Sequence, residues 1–283
     1  MDLLADSPAL LAAVCGVLGL MVGSFLNVVV HRLPRMMEAQ WRAQCAELRG
    51  ETLPEQAVYS LVRPRSACPA CGHAIRAHEN IPVLGWVALR GRCSACAGPI
   101  AMRYPLVEAA TGLLSGWLAL RFGASWALAG ALVFTWALTA AALIDLDTTL
   151  LPDAITLPLL WVGLLFNLRA TYVPLEEAVL GAAAGYLSLW SVYQAFRLAT
   201  GKEGMGFGDF KLLAAIGAFL GWKMLPVVIL LSSVVGASVG IVLLVADRQR
   251  QGKPIPFGPY LAAAGLIALL WGDELVRRWL AAL

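Results

Sequence analysis

Two aspartates stand at the ends of apolar runs, 64 positions apart: Asp145 in Leu143-Ile144-Asp145-Leu146-Asp147 and Asp209 in Gly206-Phe207-Gly208-Asp209. A charge at the rim of a membrane span is costly unless it is used. Two carboxyls delivered to the same depth can share one proton, because a low-dielectric site resists two negative charges. One then takes a proton from water as general base. The other, protonated, polarises a peptide carbonyl and later protonates the departing amine. That is aspartyl protease chemistry; Asp147 reads as a cap or a loop carboxylate. Two other readings stay open on the residues alone. The aspartates could cap helix starts, as Asp153 behind Pro152 is read to do, or relay protons in a transporter. Gly204, Gly206 and Gly208 leave the backbone ahead of Asp209 bare, so an extended substrate strand could come close. No Gly-Lys-Ser/Thr ending follows, which argues against a nucleotide loop.

The second cluster is made of thiols. Cys68-Pro-Ala-Cys71 is followed by Cys93-Ser-Ala-Cys96. Two thiolates one turn apart can share a tetrahedral ion, and two such pairs read as a structural site for one zinc. Four thiolates leave no open position for catalysis. The competing reading is two disulfides or free thiols, which a reducing compartment disfavours. Gly72, Gly91 and Ala97-Gly98 suit the tight turns around such a site. His73 and His78 are either further ligands or surface residues. Cys15 reads as a small buried apolar residue, and Cys45 has no role.

These groups must be held by the rest of the chain. It has 283 residues, 60% of them apolar and 14% charged, with a mean hydropathy of +0.75. This composition excludes a disordered chain, an ordinary soluble enzyme and a secreted disulfide scaffold. The small net charge of +3 gives no reason to expect nucleic acid. A multi-span helical membrane protein in contact with lipid remains. Eight apolar runs predict spans over Pro8–Val30, Tyr104–Leu120, Phe122–Ile144, Ala154–Leu168, Ala178–Phe196, Leu212–Trp222, Met224–Ala246 and Pro254–Gly272. Leu212–Trp222 is the doubtful one, and Glu108 interrupts the second. No Lys or Arg precedes the first run, only Asp2 and Asp6, while His31, Arg32 and Arg35 follow it at once. The positive-inside rule therefore places the N terminus outside, and the absence of a basic leader argues against a cleaved signal peptide. With eight spans the cytoplasmic side collects the ten arginines from Arg32 to Arg103, then Arg197, Lys202, Lys211, Arg248, Arg250 and Lys253. The expected fold is all-α and polytopic: a first transmembrane helix over 1–30, a cytoplasmic zinc-binding domain over 31–103 and a seven-helix membrane body over 104–283. Residues 36–60 read either as a short amphipathic helix or as a solvated connector.

Taken in order, these pieces resemble the prepilin leader peptidases, the type IV prepilin peptidase/N-methyltransferases among the GxGD aspartyl membrane proteases. The similar segments are Gly23-Ser24-Phe25-Leu26-Asn27 through Pro34, the Arg65–Gly72 stretch with Cys93–Cys96, Arg103-Tyr104-Pro105-Leu106-Val107-Glu108, Asp145 with Leu151-Pro152-Asp153, Gly206-Phe207-Gly208-Asp209, and Ile255-Pro256-Phe257-Gly258-Pro259-Tyr260. The resemblance implies Asp145 and Asp209 as the catalytic pair, with Asp147 in reserve for the first. It implies cleavage of the basic leader of type IV prepilins and type II secretion pseudopilins, after Gly and usually before Phe, on the cytoplasmic side of a bacterial inner membrane. It further implies methylation of the new N-terminal amine by S-adenosylmethionine. The methyl-donor site is expected in the cytoplasmic domain, where Ile81–Arg92, with Trp86 and Gly91, is either part of that site or a plain spacer. The remaining alternatives are a proton-coupled transporter with a zinc module and a peptidase-only relative. Gly19, Gly23 and Asn27 share one face of the first helix and read as a packing seam with a polar anchor. The oligomeric state is open.

Overall fold

Backbone amides and carbonyls cannot be left unpaired in an apolar medium, and a helix pairs them within one segment. The computed structural model describes residues 6–51, 59–246 and 255–281, and every long apolar run among them is helical. Among the described residues there is no strand. The isolated bridges Ala67 with Ala74 and Arg92 with Pro99 are the β pairings found. Asp2, residues 52–58 of the 36–60 segment, and the basic group Arg248, Arg250 and Lys253 lie outside the described residues, as does Pro254 at the head of the last expected span. The chain divides into two compact units, Met1–Ala124 and Ser125–Leu283.

In the first unit, α1 (Pro8–Leu48) starts on Ser7, whose hydroxyl accepts the Leu10 amide at 3.4 Å, with Pro8 in the first turn. The helix does not stop at Val30, where the apolar run ends. It continues through Pro34 to Leu48, so the helical reading of 36–60 holds as far as Leu48. A short helix, α2 (Leu84–Ala88), follows the cysteine segment, and then α3 (Arg103–Phe122). The anticipated small-residue seam joins α1 to α3. A Cβ on Gly23 would lie 2.8 Å from the Glu108 Cα, and one on Gly112 2.8 Å from Leu20. The two backbones therefore touch, as small residues allow. Asn27 anchors the seam by donating to the Tyr104 carbonyl at 3.2 Å. The opposite face of α1 exposes Leu10, Val14, Val17, Leu18, Met21 and Phe25, an apolar stripe on the outside, which suits lipid rather than water.

The second unit contains α4 (Trp126–Thr148), α5 (Asp153–Asn167), α6 (Leu175–Thr200), α7 (Phe207–Leu220), α8 (Leu225–Ala246) and α9 (Gly258–Ala281). The doubtful span, Leu212–Trp222, falls largely in the 14-residue α7, about 21 Å long at 1.5 Å per residue. It is apolar all round because it is buried all round: Phe210, Leu212, Leu213, Ile216 and Phe219 are fully enclosed. Gly181 of α6 and Gly217 of α7 face each other so closely that neither could carry a Cβ. At the far end of α7, buried Asn167 donates to the Ala218 and Phe219 carbonyls at 2.9 and 3.0 Å. Its own carbonyl accepts the Tyr172 and Val173 amides at 3.0 and 3.2 Å. Among the described residues, three helices are long and apolar enough to cross a membrane: Pro8–Leu48, Trp126–Thr148 and Trp222–Leu243, with Asp153–Asn167 and Gly258–Gly272 apolar but shorter.

Candidate active site and thiol cluster

Asp145 lies in the last turn of α4. Thr149 closes that helix in the left-handed conformation (φ +55), its amide bonding the Asp145 carbonyl at 2.8 Å. Leu150, Leu151 and Pro152 then lead into α5. Asp209 is the third residue of α7, whose N-cap is Gly206, and its carboxyl turns back toward the Gly206 amide as in a capping box. Both side chains are buried, 4% and 7% exposed. Asp145 lies close enough for its charge to act on Asp209. Asp145 Oδ2 accepts the backbone amide of Gly258, the first residue of α9, at 2.9 Å. Asp209 Oδ1 is buried without a hydrogen-bond partner in the protein. Three helix ends thus converge on one carboxyl pair.

The neighbouring residues are sorted by the same geometry. Asp147 is exposed, about 200° round α4 from Asp145, so it is not brought to Asp209. Asp153 caps nothing with its side chain. Both its oxygens instead take the Lys211 ammonium at 2.7 Å, tying the starts of α5 and α7 together. Of the three bare glycines, two serve the chain itself. A Cβ on Gly208 would meet Leu151 at 2.5 Å, and one on Gly204 would meet the Phe196 ring at 2.8 Å. Gly206 alone has room, the nearest atom to its Cβ position being Asp209 Oδ2 at 3.9 Å. Reasoning from sequence missed Gly258 as a partner of Asp145. The signal was a Gly-Pro pair opening an apolar run, which places one usable amide at a helix start.

In the first unit the four cysteine sulfurs lie within 4.8 Å of one another. The Cys68–Cys96 and Cys71–Cys93 distances are 3.9 and 4.0 Å. Disulfide sulfurs are about 2.05 Å apart, whereas sulfurs about 2.3 Å from one tetrahedral zinc are roughly 3.8 Å apart. The spacing therefore suits a single ion. Each CxxC forms the same turn: Gly72 N–H bonds Cys68 O and Ala97 N–H bonds Cys93 O, both at 2.9 Å. The residue after each second cysteine is left-handed, Gly72 at φ +72 and Ala97 at φ +56. The Ala70 and Cys71 amides pull the Cys68 thiol down to about 7. At Cys71 the His73 amide pulls down, but the Cys96 sulfur, burial and the other two sulfurs push it up to about 12. Four thiols in this space cannot all ionise without a cation, so the donor set fits a divalent metal.

His73 and His78 are not among these sulfur donors. His73 sits 3.4 Å from Glu79 and 3.3 Å from the Ser94 hydroxyl, clipping one turn to the other. The Ser94 hydroxyl, the Arg76 amide and His73 together hold Glu79 down at about 2. Within Ile81–Arg92, Trp86 donates to the Ile100 carbonyl at 3.1 Å and packs where a Cβ on Gly91 would be. The Val83 amide donates to the Glu108 carboxylate at 2.7 Å, giving the polar residue of α3 its partner. Arg32, buried on α1, donates to the Ser60 carbonyl at 3.0 Å.

Residues 17–122 match the bacterial peptidase A24 N-terminal domain, and residues 132–241 match the type IV leader peptidase family. Proteins named prepilin leader peptidase/N-methyltransferase are similar along nearly the whole chain. The Pseudomonas aeruginosa protein is 56% identical over 99% of this chain and 97% of its own length. That of Stutzerimonas stutzeri is 55% identical over 99% and 97%, and that of Aeromonas salmonicida 58% over 92% and 91%. No solved structure matches.

Proposed function

The chain belongs to the type IV leader peptidase family, and from that premise we propose that Asp145 and Asp209 form its catalytic pair. The enzyme is a membrane aspartyl endopeptidase that removes the leader of type IV prepilins and type II secretion pseudopilins, after Gly and usually before Phe. It then methylates the new N-terminal amine with S-adenosylmethionine as co-substrate. The observation that carries this reading is the burial, at one end of one unit, of two carboxyls that begin 64 residues apart. One takes a proton from water while the other polarises the scissile carbonyl and returns a proton to the amine. Gly206, with open space at its Cα, is where the substrate backbone approaches.

Cys68, Cys71, Cys93 and Cys96 hold one structural zinc, which supplies no chemistry and fixes the two turns. The helices make eight crossings of the bacterial inner membrane, with the N terminus outside. The first crossing lies within 1–30, the zinc-binding cytoplasmic domain is 31–103 and the membrane body 104–283. The distribution of Lys and Arg supports this orientation. α7 is the short crossing, enclosed by protein. Purified enzyme incubated with a prepilin, with and without S-adenosylmethionine, tests the whole. A shortened product is expected in both, heavier by about 14 Da per methyl group only when the donor is present. No shortened product overturns the reading, and a shortened product of unchanged mass with donor present reduces it to the peptidase alone.

A further inference from the structure

We infer that the backbone amide of Gly258 is a positioning group for hydrolysis: it fixes the Asp145 carboxyl as the acceptor of the water proton and leaves Asp209 to present Oδ1 to the substrate carbonyl. This rests on the reading of Asp145 and Asp209 as the catalytic pair. A helix start has four amides without partners inside the helix. In α9 those positions are Phe257 at the cap, then Gly258, Pro259 and Tyr260. Proline has no amide hydrogen to give. The Tyr260 and Leu261 amides both turn to the Phe257 carbonyl, at 3.1 and 3.2 Å. Within the helix itself the Gly258 amide is left, and it meets Asp145 Oδ2 at 2.9 Å. The positive end of α9 reinforces a bond of this kind to a carboxylate.

Glycine is required there for space as well. A Cβ at 258 would lie 2.7 Å from Asp145 Oδ2 and 3.1 Å from Leu151 Cδ2. Leu151 also fills the space where a Gly208 Cβ would be. It is therefore wedged between the glycine that holds Asp145 and the glycine that precedes Asp209, and it sets the gap between them. Asp209 Oδ1 has no such donor. The two carboxyls are thus unequal before substrate arrives.

Gly258→glycolic acid, introduced in the full chain, replaces the amide by an ester, which removes the N–H without adding a side chain and weakens the Phe257 carbonyl as an acceptor for Tyr260 and Leu261. Cleavage of a prepilin in lipid vesicles should lose about 10- to 100-fold in kcat, as for one charge-assisted hydrogen bond, with KM unchanged. Affinity for a peptide carrying a hydroxyl group in place of the scissile carbonyl should fall alongside kcat. Unchanged kcat in the ester overturns the inference, and so does a rise in KM alone. Gly258→Ala, which pushes a methyl group at Oδ2, takes the place of the ester if that chain does not assemble: kcat must fall at constant KM. Asp145→Asn is run beside them. If it is inactive while the ester is fully active, the positioning role fails and the catalytic pair stands. If Asp145→Asn itself cleaves, the pair fails.

Discussion

Gly258 and Asp145 are 113 residues apart, and a 2.9 Å hydrogen bond joins the amide of one to the carboxyl of the other. The setting of Asp145 therefore depends on where α9 begins as much as on where α4 ends. Asp209 is set differently, by its own helix start at Gly206. The same side-chain type occupies both positions, and the backbone around each makes them distinct.

Removing either carboxylate should stop hydrolysis. Asp145→Asn and Asp209→Asn should each lower leader cleavage by at least ~1,000-fold, because the bound pair works as a unit. Membrane insertion should be normal. Asp147→Asn, altering an exposed residue on the other side of α4, should cleave at near the native rate. Robust cleavage by Asp145→Asn together with loss in Asp147→Asn would reverse the assignment.

Withdrawing metal should loosen the cysteine segment. A chelator, or Cys68→Ser with Cys71→Ser, should make residues 59–102 sensitive to limited proteolysis, since a segment with so small a core depends on its ion. One zinc per chain should be released. Undiminished protease resistance in the metal-free protein would contradict this.

Ala97→Gly should stabilise the second CxxC turn. Ala97 has a left-handed backbone at φ +56, where its counterpart Gly72 meets no steric penalty. The change should gain about 1 kcal/mol, read as slower zinc loss to a competing chelator. Gly72→Ala should move the same rate the other way.

Asn167→Ala should weaken the second unit without touching the carboxyl pair. It would orphan the Ala218 and Phe219 carbonyls and the Tyr172 and Val173 amides. A loss of about 2–4 kcal/mol is expected, seen as a lower Tm in detergent. At temperatures where the variant is folded, its KM should match the native value.

Acid should undo the Glu79 clip. A carboxylate held at about 2 rather than the ordinary 4.5 stabilises the fold above pH 4.5, and this contribution fades as pH falls toward 2. Glu79→Gln lacks the contribution at every pH. The proteolytic resistance of the two proteins should differ at pH 6 and converge as the medium is acidified. A gap that widens on acidification would show that the clip works by other means.

Much of this arrangement is legible in the chain. The double CxxC, the Gly19–Gly23–Asn27 seam and the two aspartates each follow from residue type and spacing, and the structure brings each set together. What escaped has a common cause: it depends on partners distant in sequence. Residue type leaves 36–60 open between helix and connector and does not show that α1 runs unbroken through Pro34, yet Arg32 finds carbonyl acceptors and the helix goes on to Leu48. Asp153 has the look of a helix cap until Lys211 is seen beside it. Gly204 and Gly208 look like open backbone until Phe196 and Leu151 fill the space. A glycine's sequence neighbours do not reveal whether its missing side chain makes room for a guest or for the protein itself.

Both acidic residues, the amide that holds one of them and the leucine between them all fall after Ser125, whereas all four clustered thiols fall before Ala124. The proposed hydrolytic pair and the thiol cluster are accordingly written in separable stretches of one gene. Descent could therefore trim or exchange the leading stretch without redrawing the hydrolytic one.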